Sequence, residues 1–311
     1  MLLTGCANPA KAAPPAELAD IYLTTYQDTL LDVARRYDLG YVELVAANPG
    51  VDPWLPGADR RIVLPTRHLL PDAPHRGIVV NLADLRLYYY GSGKVSDPVS
   101  FPIGTGRQGW ETPTGSTRVV AKRPHPAWYP PASIRQAEPD LPAVVPAGPD
   151  NPLGDYALYL GWPGYLIHGT NKPFSVGRRV SHGCFHLYPE DISRVFAMID
   201  LGTPVTVVDQ IYKLGWIDGA LYLEVHLEGA QVDQIEVTDR FTPHPVAGLE
   251  AAVRDAAGSE QDRVDWALVR SVGEQRRGIP TRILVSRPAA VAEAGDPSAA
   301  AATSASNVSD R

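Results

Sequence analysis

The stretch from His168 to Leu187, HGTNKPFSVGRRVSHGCFHL, contains the one cysteine beyond position 6 and three of the eight histidines. A free thiol has a pKa near ~8.5, so only a few per cent is ionised at neutral pH unless a basic or cationic group lies beside it. His168, His182 and His186 are the candidate neighbours of Cys184. Gly183, directly before the cysteine, permits a tight turn that leaves the sulfur exposed and the adjacent N–H groups free to point into a cleft. Tyr188-Pro189-Glu190-Asp191 then opens a helix, with proline suited to the first position and two carboxylates matched to the helix dipole. Cys184 is therefore expected on the loop entering a helix.

Three kinds of chemistry compete for this stretch. A buried structural cysteine is the commoner fate of a lone Cys, but it leaves the polar, glycine-flanked surroundings without a role. A metal site has His182, Cys184 and His186 in alternation, which on a strand would share one face, with His168 completing a tetrahedral set. Gly183 argues against a regular strand, and the spacing fits no common zinc pattern. A Cys–His pair in which His168 takes the thiol proton accounts best for the way the cysteine is presented.

The residues from Ile167 to Cys184, IHGTNKPFSVGRRVSHGC, resemble the signature of the YkuD-type L,D-transpeptidases, cysteine enzymes of the bacterial cell wall. Upstream, Gly104-Thr105-Gly106 and Thr112-Pro113-Thr114-Gly115 resemble that family's glycine and proline turns, and Trp128-Tyr129-Pro130-Pro131 resembles its periplasmic ErfK-like branch. The resemblance covers residues 77–209. It implies that Cys184 is the nucleophile, that His168 is the base oriented by the Gly169 carbonyl, and that the N–H groups of His182, Gly183 and Cys184 hold the oxyanion. It also implies substrate-binding roles for Ser181, His186, Trp128 and Tyr129, and neither a cofactor nor a metal.

The implied substrate is a peptidoglycan tetrapeptide stem, cleaved at its third residue with loss of D-alanine. The acceptor is a second stem, giving a 3–3 cross-link, or a lysine of an envelope lipoprotein; water would make the enzyme an L,D-carboxypeptidase or amidase. One position departs from the pattern, since His186 stands where many members carry Arg and some Asn. A permanently charged fork is replaced there by a group whose charge depends on pH. The other class of function is a non-catalytic peptidoglycan-binding lipoprotein with a degenerated active site.

With 311 residues, 44% hydrophobic and 20% charged, the chain suits two or three small domains. Thirty prolines and 27 glycines favour short strands and turns, and a net charge of -7 gives no electrostatic footprint for nucleic acid. No apolar run is long enough to span a bilayer. Leu3-Thr4-Gly5-Cys6 has the form of a lipobox, yet only Met1 and Leu2 precede it, so a reading frame starting upstream of Met1 is expected. The protein is then an exported lipoprotein of the periplasm or cell envelope, anchored through Cys6, with residues 1–18 as truncated signal and linker. Cys184 would be left as an unpaired thiol served by a periplasmic reductant.

Residues 19–66 read as β-α-α-β: a strand at 21–25, helices at 29–37 and 42–48, and a strand at 61–64. With Asp28-Thr29-Leu30, Ala47-Asn48-Pro49 and Leu64-Pro65, this order resembles a LysM module, a family that binds N-acetylglucosamine-containing glycans; a small packing unit with no glycan affinity is the alternative. From Gly77, many short strands and one helix near 189–199 predict a β-sandwich or open barrel. The proline-rich segment 122–151 reads as a cleft wall or lid carrying Trp128 and Tyr129. Residues 210–286 read as a small α+β unit opened by a hairpin at Asp218-Gly219, with His226 and His244 isolated. The Ala/Ser-rich tail, 287–311, lacks core-forming residues and is expected to be disordered. The fold class expected overall is mainly β, with a βααβ unit before the catalytic region and an α+β unit after it.

Overall fold

The computed structural model describes residues 17–91 and 98–285; the lipobox-like Leu3–Cys6, the linker to Pro15 and the tail from Arg287 lie outside the described residues. Strands β1 (Asp20–Leu23) and β2 (Arg61–Leu64) pair antiparallel around helices α1 (Leu30–Arg36) and α2 (Tyr41–Ala47). Thr29 starts α1, its hydroxyl oxygen accepting from the Asp32 N–H at 3.1 Å, which satisfies one otherwise orphaned donor. Asn48 ends α2 and ties it to β2, donating to the Leu44 and Val63 carbonyls and accepting from the Val63 N–H at 2.7 Å. The core of this unit is completed from outside it, by Leu85, Leu227, Val232 and Ile235.

The middle of the chain supplies β3 (Ile78–Asn81), β4 (Arg86–Tyr89), β5 (Val99–Pro102), β6 (Thr105–Gly106), β7 (Gly115–Pro124), α3 (Ala132–Ala137), β8 (Tyr156–Leu160), β9 (Leu166–His168), β10 (Arg179–Ser181), β11 (Phe185–His186), α4 (Pro189–Met198) and β12 (Pro204–Val208). Eight of these strands form one sheet, ordered β11-β9-β8-β7-β12-β3-β4-β5, and β6 pairs with β10 beside it. A register shift in the long strand β7, between Val119 and Ala121, helps the sheet bend. The bend is nearly complete. Gly104, just beyond β5, donates to the His186 carbonyl at 2.8 Å and accepts from the His186 N–H at 3.1 Å, so the two outermost strands are bridged. Ile192 and Val195 of α4 join the apolar interior of this curled sheet. The open-barrel expectation for the catalytic region matches this architecture.

One local expectation is corrected. Cys184 does not lead straight into a helix, because β11 intervenes, held parallel to β9 with His186 opposite His168. His168 is the last residue of β9. Its ring therefore sits on a strand whose backbone is fixed on both sides, by β8 and by β11.

The last part contains the hairpin β13 (Tyr212–Ile217) and β14 (Ala220–Val225), then α5 (Gly229–Thr238), α6 (Leu249–Ala257), α7 (Trp266–Gln275) and β15 (Thr281–Arg282). Asp218 and Gly219 adopt φ of 49° and 76°, the left-handed pair that a two-residue hairpin turn requires.

A buried ionic junction joins the three parts. Lys213 Nζ lies 2.8 Å from Asp84 and 2.9 Å from Glu224, with no exposure on any of the three side chains. Arg86 lies 3.0 Å from Glu43 of α2, and His68 stands between Glu43 at 3.4 Å and Glu224 at 3.6 Å. Burial alone would raise the Glu224 carboxyl, but Lys213 and His226 outweigh it and hold the group well below its ordinary range. His226 is not isolated, since its Nε2 is 2.8 Å from Glu224; His244 lies 3.5 Å from Glu228.

Candidate active site

The cysteine-bearing stretch enters through β10, turns at His182-Gly183 and leaves through β11. Gly183 adopts φ of +104°, where an L side chain is strained, and a Cβ there would lie 3.0 Å from the Tyr165 ring. The turn is pinned from both sides. Ser181 Oγ donates to the Cys184 carbonyl at 2.7 Å and accepts from the Gly183 N–H at 3.2 Å, while Thr112 Oγ1 donates to the Gly183 carbonyl at 2.8 Å. Thr112 in turn accepts from the Gly106 N–H at 3.2 Å.

Cys184 is half-buried and unpaired. Its Sγ faces the Gly164 carbonyl at 3.5 Å. Burial pushes the thiol up to about 11, opposed by a backbone hydrogen bond from Leu166. His168 Nδ1 lies 2.6 Å from the Gly169 carbonyl, and because that oxygen can only accept, Nδ1 carries the proton and Nε2 holds the free lone pair. Burial, with a smaller contribution from His186, brings His168 down to about 3. Both shifts favour the neutral thiol and neutral imidazole at rest.

His186 is 4% exposed, and its Nε2 donates to the Ser175 carbonyl at 3.0 Å. Its ring stacks at 26° on that of His168, centroids 6.1 Å apart, and lies directly over Gly104, where a Cβ has no room. Burial holds it down to about 4. It is thus a neutral part of the wall behind His168, and at neutral pH it offers a carboxylate no charge. His182 lies at the rim, its Nε2 2.9 Å from Arg107 and its ring edge-on to Trp110 at 4.7 Å. Among the described residues no group of three His, Cys, Asp or Glu is arranged to hold a metal ion.

A model of the YkuD family, described as the L,D-transpeptidase catalytic domain, matches residues 75–207. The chain is 40% identical to Escherichia coli K12 "Probable L,D-transpeptidase YcfS", over 81% of this chain and 79% of that one. It is 41% identical to Salmonella typhimurium "Probable L,D-transpeptidase ErfK/SrfK", over 82% of each. The chain belongs to the YkuD family of L,D-transpeptidases. Among solved structures it is similar to the catalytic domain of an Enterococcus faecium L,D-transpeptidase, 25% identical over 44% of this chain and 99% of that one, with a TM-score of 0.34.

Within this L,D-transpeptidase, the site brings together Cys184, His168, Gly169, Ser181, His182, Gly183 and His186. Trp128 and Tyr129 lie on the excursion between β7 and β8. Trp128 pairs through its backbone with Val145, at 2.8 and 2.9 Å, and Tyr129 is 68% exposed. The excursion that carries them is fastened by buried Asn151, which donates to the Pro126 carbonyl at 2.8 Å and to those of Val145 and Pro146. Its Glu138, just after α3, exerts a charge effect on His182. Sequence reasoning missed Thr112 and Ser175 as parts of the site. Thr112 lies in a motif read only as a turn, and Ser175 contributes a main-chain oxygen, which no side-chain pattern reveals.

Proposed function

We propose that this enzyme is a peptidoglycan L,D-transpeptidase working through a cysteine acyl-enzyme. The single observation that carries the reading is the Nδ1 bond of His168 to Gly169, which leaves Nε2 as the basic nitrogen on a strand fixed next to the Cys184 turn. In the proposed cycle, Cys184 attacks the carbonyl of the third residue of a tetrapeptide stem, and the thiol proton passes to His168 as the S–C bond forms. Because burial opposes the charged form of each partner, a preformed thiolate–imidazolium pair is not the resting state, and proton loss accompanies attack.

The N–H groups of His182, Gly183 and Cys184 receive the oxyanion; that of Gly183 first has to leave Ser181 Oγ. Such donors contribute roughly 10²–10³ in rate each. The protonated His168 then gives its proton to the departing D-alanine amine, leaving a thioester. An incoming amine resolves it. That amine belongs to a second stem or to the lysine of an envelope lipoprotein, the latter favoured by the ErfK-like resemblance of Trp128-Tyr129-Pro130-Pro131. The N-terminal βααβ unit, resembling LysM, would hold glycan, and export to the periplasm with a lipid on Cys6 completes the reading.

Intact mass measurement of the full chain incubated with a carbapenem, beside Cys184→Ala, tests this. An adduct on wild type that is missing from the variant is expected. A reduced wild-type thiol that forms none would refute the cysteine mechanism and favour a wall-binding protein.

A further inference from the structure

The N-terminal βααβ unit is built against the loop that precedes the catalytic turn. The first N–H groups of α2, those of Tyr41 and Val42, lack partners within the helix and donate instead to the Val176 carbonyl at 3.4 Å and the Gly177 carbonyl at 3.2 Å. The contact is backbone on backbone. Gly40 and Gly177 pack so closely that a Cβ added at Gly40 would lie 2.8 Å from the Gly177 Cα, and one at Gly177 would collide with Gly40. Arg178 lies over the Tyr41 ring at 3.9 Å.

The same loop reaches the base. Ser175, adjoining Val176, supplies the carbonyl that fixes His186 Nε2 at 3.0 Å. His186 faces His168 both through the β11–β9 register and through its stacked ring. A second line of contacts grips the chain just after the cysteine. Tyr188 donates to the Leu39 carbonyl at 3.1 Å, and Arg35 forks onto Glu190 at 2.7 and 2.8 Å.

We propose that His186 is a positioning residue for His168, and that the α2 N-terminus sets His186 by clamping Val176 and Gly177, making the N-terminal unit part of the catalytic apparatus. The inference rests on the reading of Cys184 and His168 as the reacting pair. A base must be held to within a fraction of an ångström of its working position, and a misplacement of about 1 Å costs on the order of 10²-fold. A loop free to shift at Val176–Gly177 takes Ser175 and His186 with it.

The test uses the full chain and the rate of carbapenem acylation against pH, with melting temperature as a check on folding. Gly40→Ala is the wedge: Gly40 has φ of -84°, so alanine fits the backbone and only the packing against Gly177 is disturbed. We expect the maximal acylation rate to fall roughly tenfold, with half-saturation concentration unchanged and the pH profile displaced. His186→Gln, which keeps a donor for Ser175, should stay within about threefold of wild type, whereas His186→Leu should lose on the order of 10²-fold. This pair decides the matter if Gly40→Ala fails to fold. An acylating wild type accompanied by a Gly40→Ala of identical rate and profile, or by a His186→Leu as fast as His186→Gln, overturns the proposal alone. A wild type that never acylates overturns the underlying reading and the proposal together.

Discussion

Asp191 offers a quantitative test of the electrostatics at the start of α4, just after the Cys184 turn. It sits in the first turn of α4 with no side-chain exposure; its Oδ1 lies 3.3 Å from Arg194, and its buried Oδ2 makes no hydrogen bond. Burial, reinforced by the Asp38 carboxylate and opposed by Arg194, raises its pKa from 3.8 to about 7. A carboxyl raised on folding contributes its full stability below the unfolded value and loses it as the pH rises through the folded one. Asp191→Asn, which keeps the shape and cannot ionise, should therefore melt like wild type near pH 4 and increasingly above it at higher pH. The shift sets a ceiling of about 4 kcal/mol at pH 8 and about 1.5 kcal/mol at pH 5. Losing the pairing with half-exposed Arg194 returns up to about 1 kcal/mol. The remaining ~3 kcal/mol corresponds to a rise in Tm of roughly 4–6 °C at pH 8. Thermal melts of both proteins at pH 4, 5, 6, 7 and 8 check this. A difference in Tm that stays constant across the series would refute the assignment of a raised, buried Asp191.

Three further outcomes follow from the site and its surroundings. Gly183→Ala, strained at φ +104° and crowded by Tyr165, should lower carbapenem acylation by about 10²-fold, on the scale of a lost oxyanion donor, while circular dichroism stays that of wild type; unchanged acylation would show that the turn need not hold this shape. His168 and His186 are depressed from 6.5 to about 3 and about 4, so the stability of keeping them buried and neutral is fully present above pH 6.5 and lost as the pH falls towards those values. Denaturant melts of the Asp191→Asn protein, free of the opposing Asp191 titration, should lose several kcal/mol between pH 6.5 and 4; a flat profile contradicts the burial of the two rings. Lys213→Met leaves Asp84 and Glu224 buried without their cation and should cost about 3–5 kcal/mol, read by chemical denaturation, with a loss below ~1 kcal/mol refuting the junction.

Much of the architecture was readable because its signals are local. Strand β12 reads as an unbroken run of β-branched residues from Val205 to Val208, α4 opens with a proline and two acids, and the β13–β14 turn is written in Asp218-Gly219. The cysteine, its glycine turn and its histidines lie within one stretch of twenty residues, so the site's members were visible before their geometry. What could not be read depends on distance in the chain. The bridge from Gly104 to His186 that curls the sheet is set by main-chain bonding across eighty residues. The resemblance implied a substrate-facing role for His186, whereas β11 turns its ring onto Gly104 and Ser175. Helix α5 escaped notice because its buried residues, Gln231, Val232 and Ile235, include a polar side chain that fails to register as part of an apolar face. His226 seemed alone only because its partner Glu224 is itself buried by elements drawn from the other two parts.

The family match begins at residue 75 and ends at 207, which invites trimming the gene to that span. The ionic junction makes those limits poor scissor lines. Asp84 and Arg86 lie inside them, while their counter-charges, Lys213 and Glu43, lie outside. A shortened protein would keep one member of each pair and expose it on a surface shaped for contact, so low yield and aggregation of such a fragment would reflect where it was cut rather than any weakness of the catalytic sheet. Exchange of catalytic segments between relatives faces the same constraint, and a cassette has to carry β1 and α5 as well, since their residues complete the same packing.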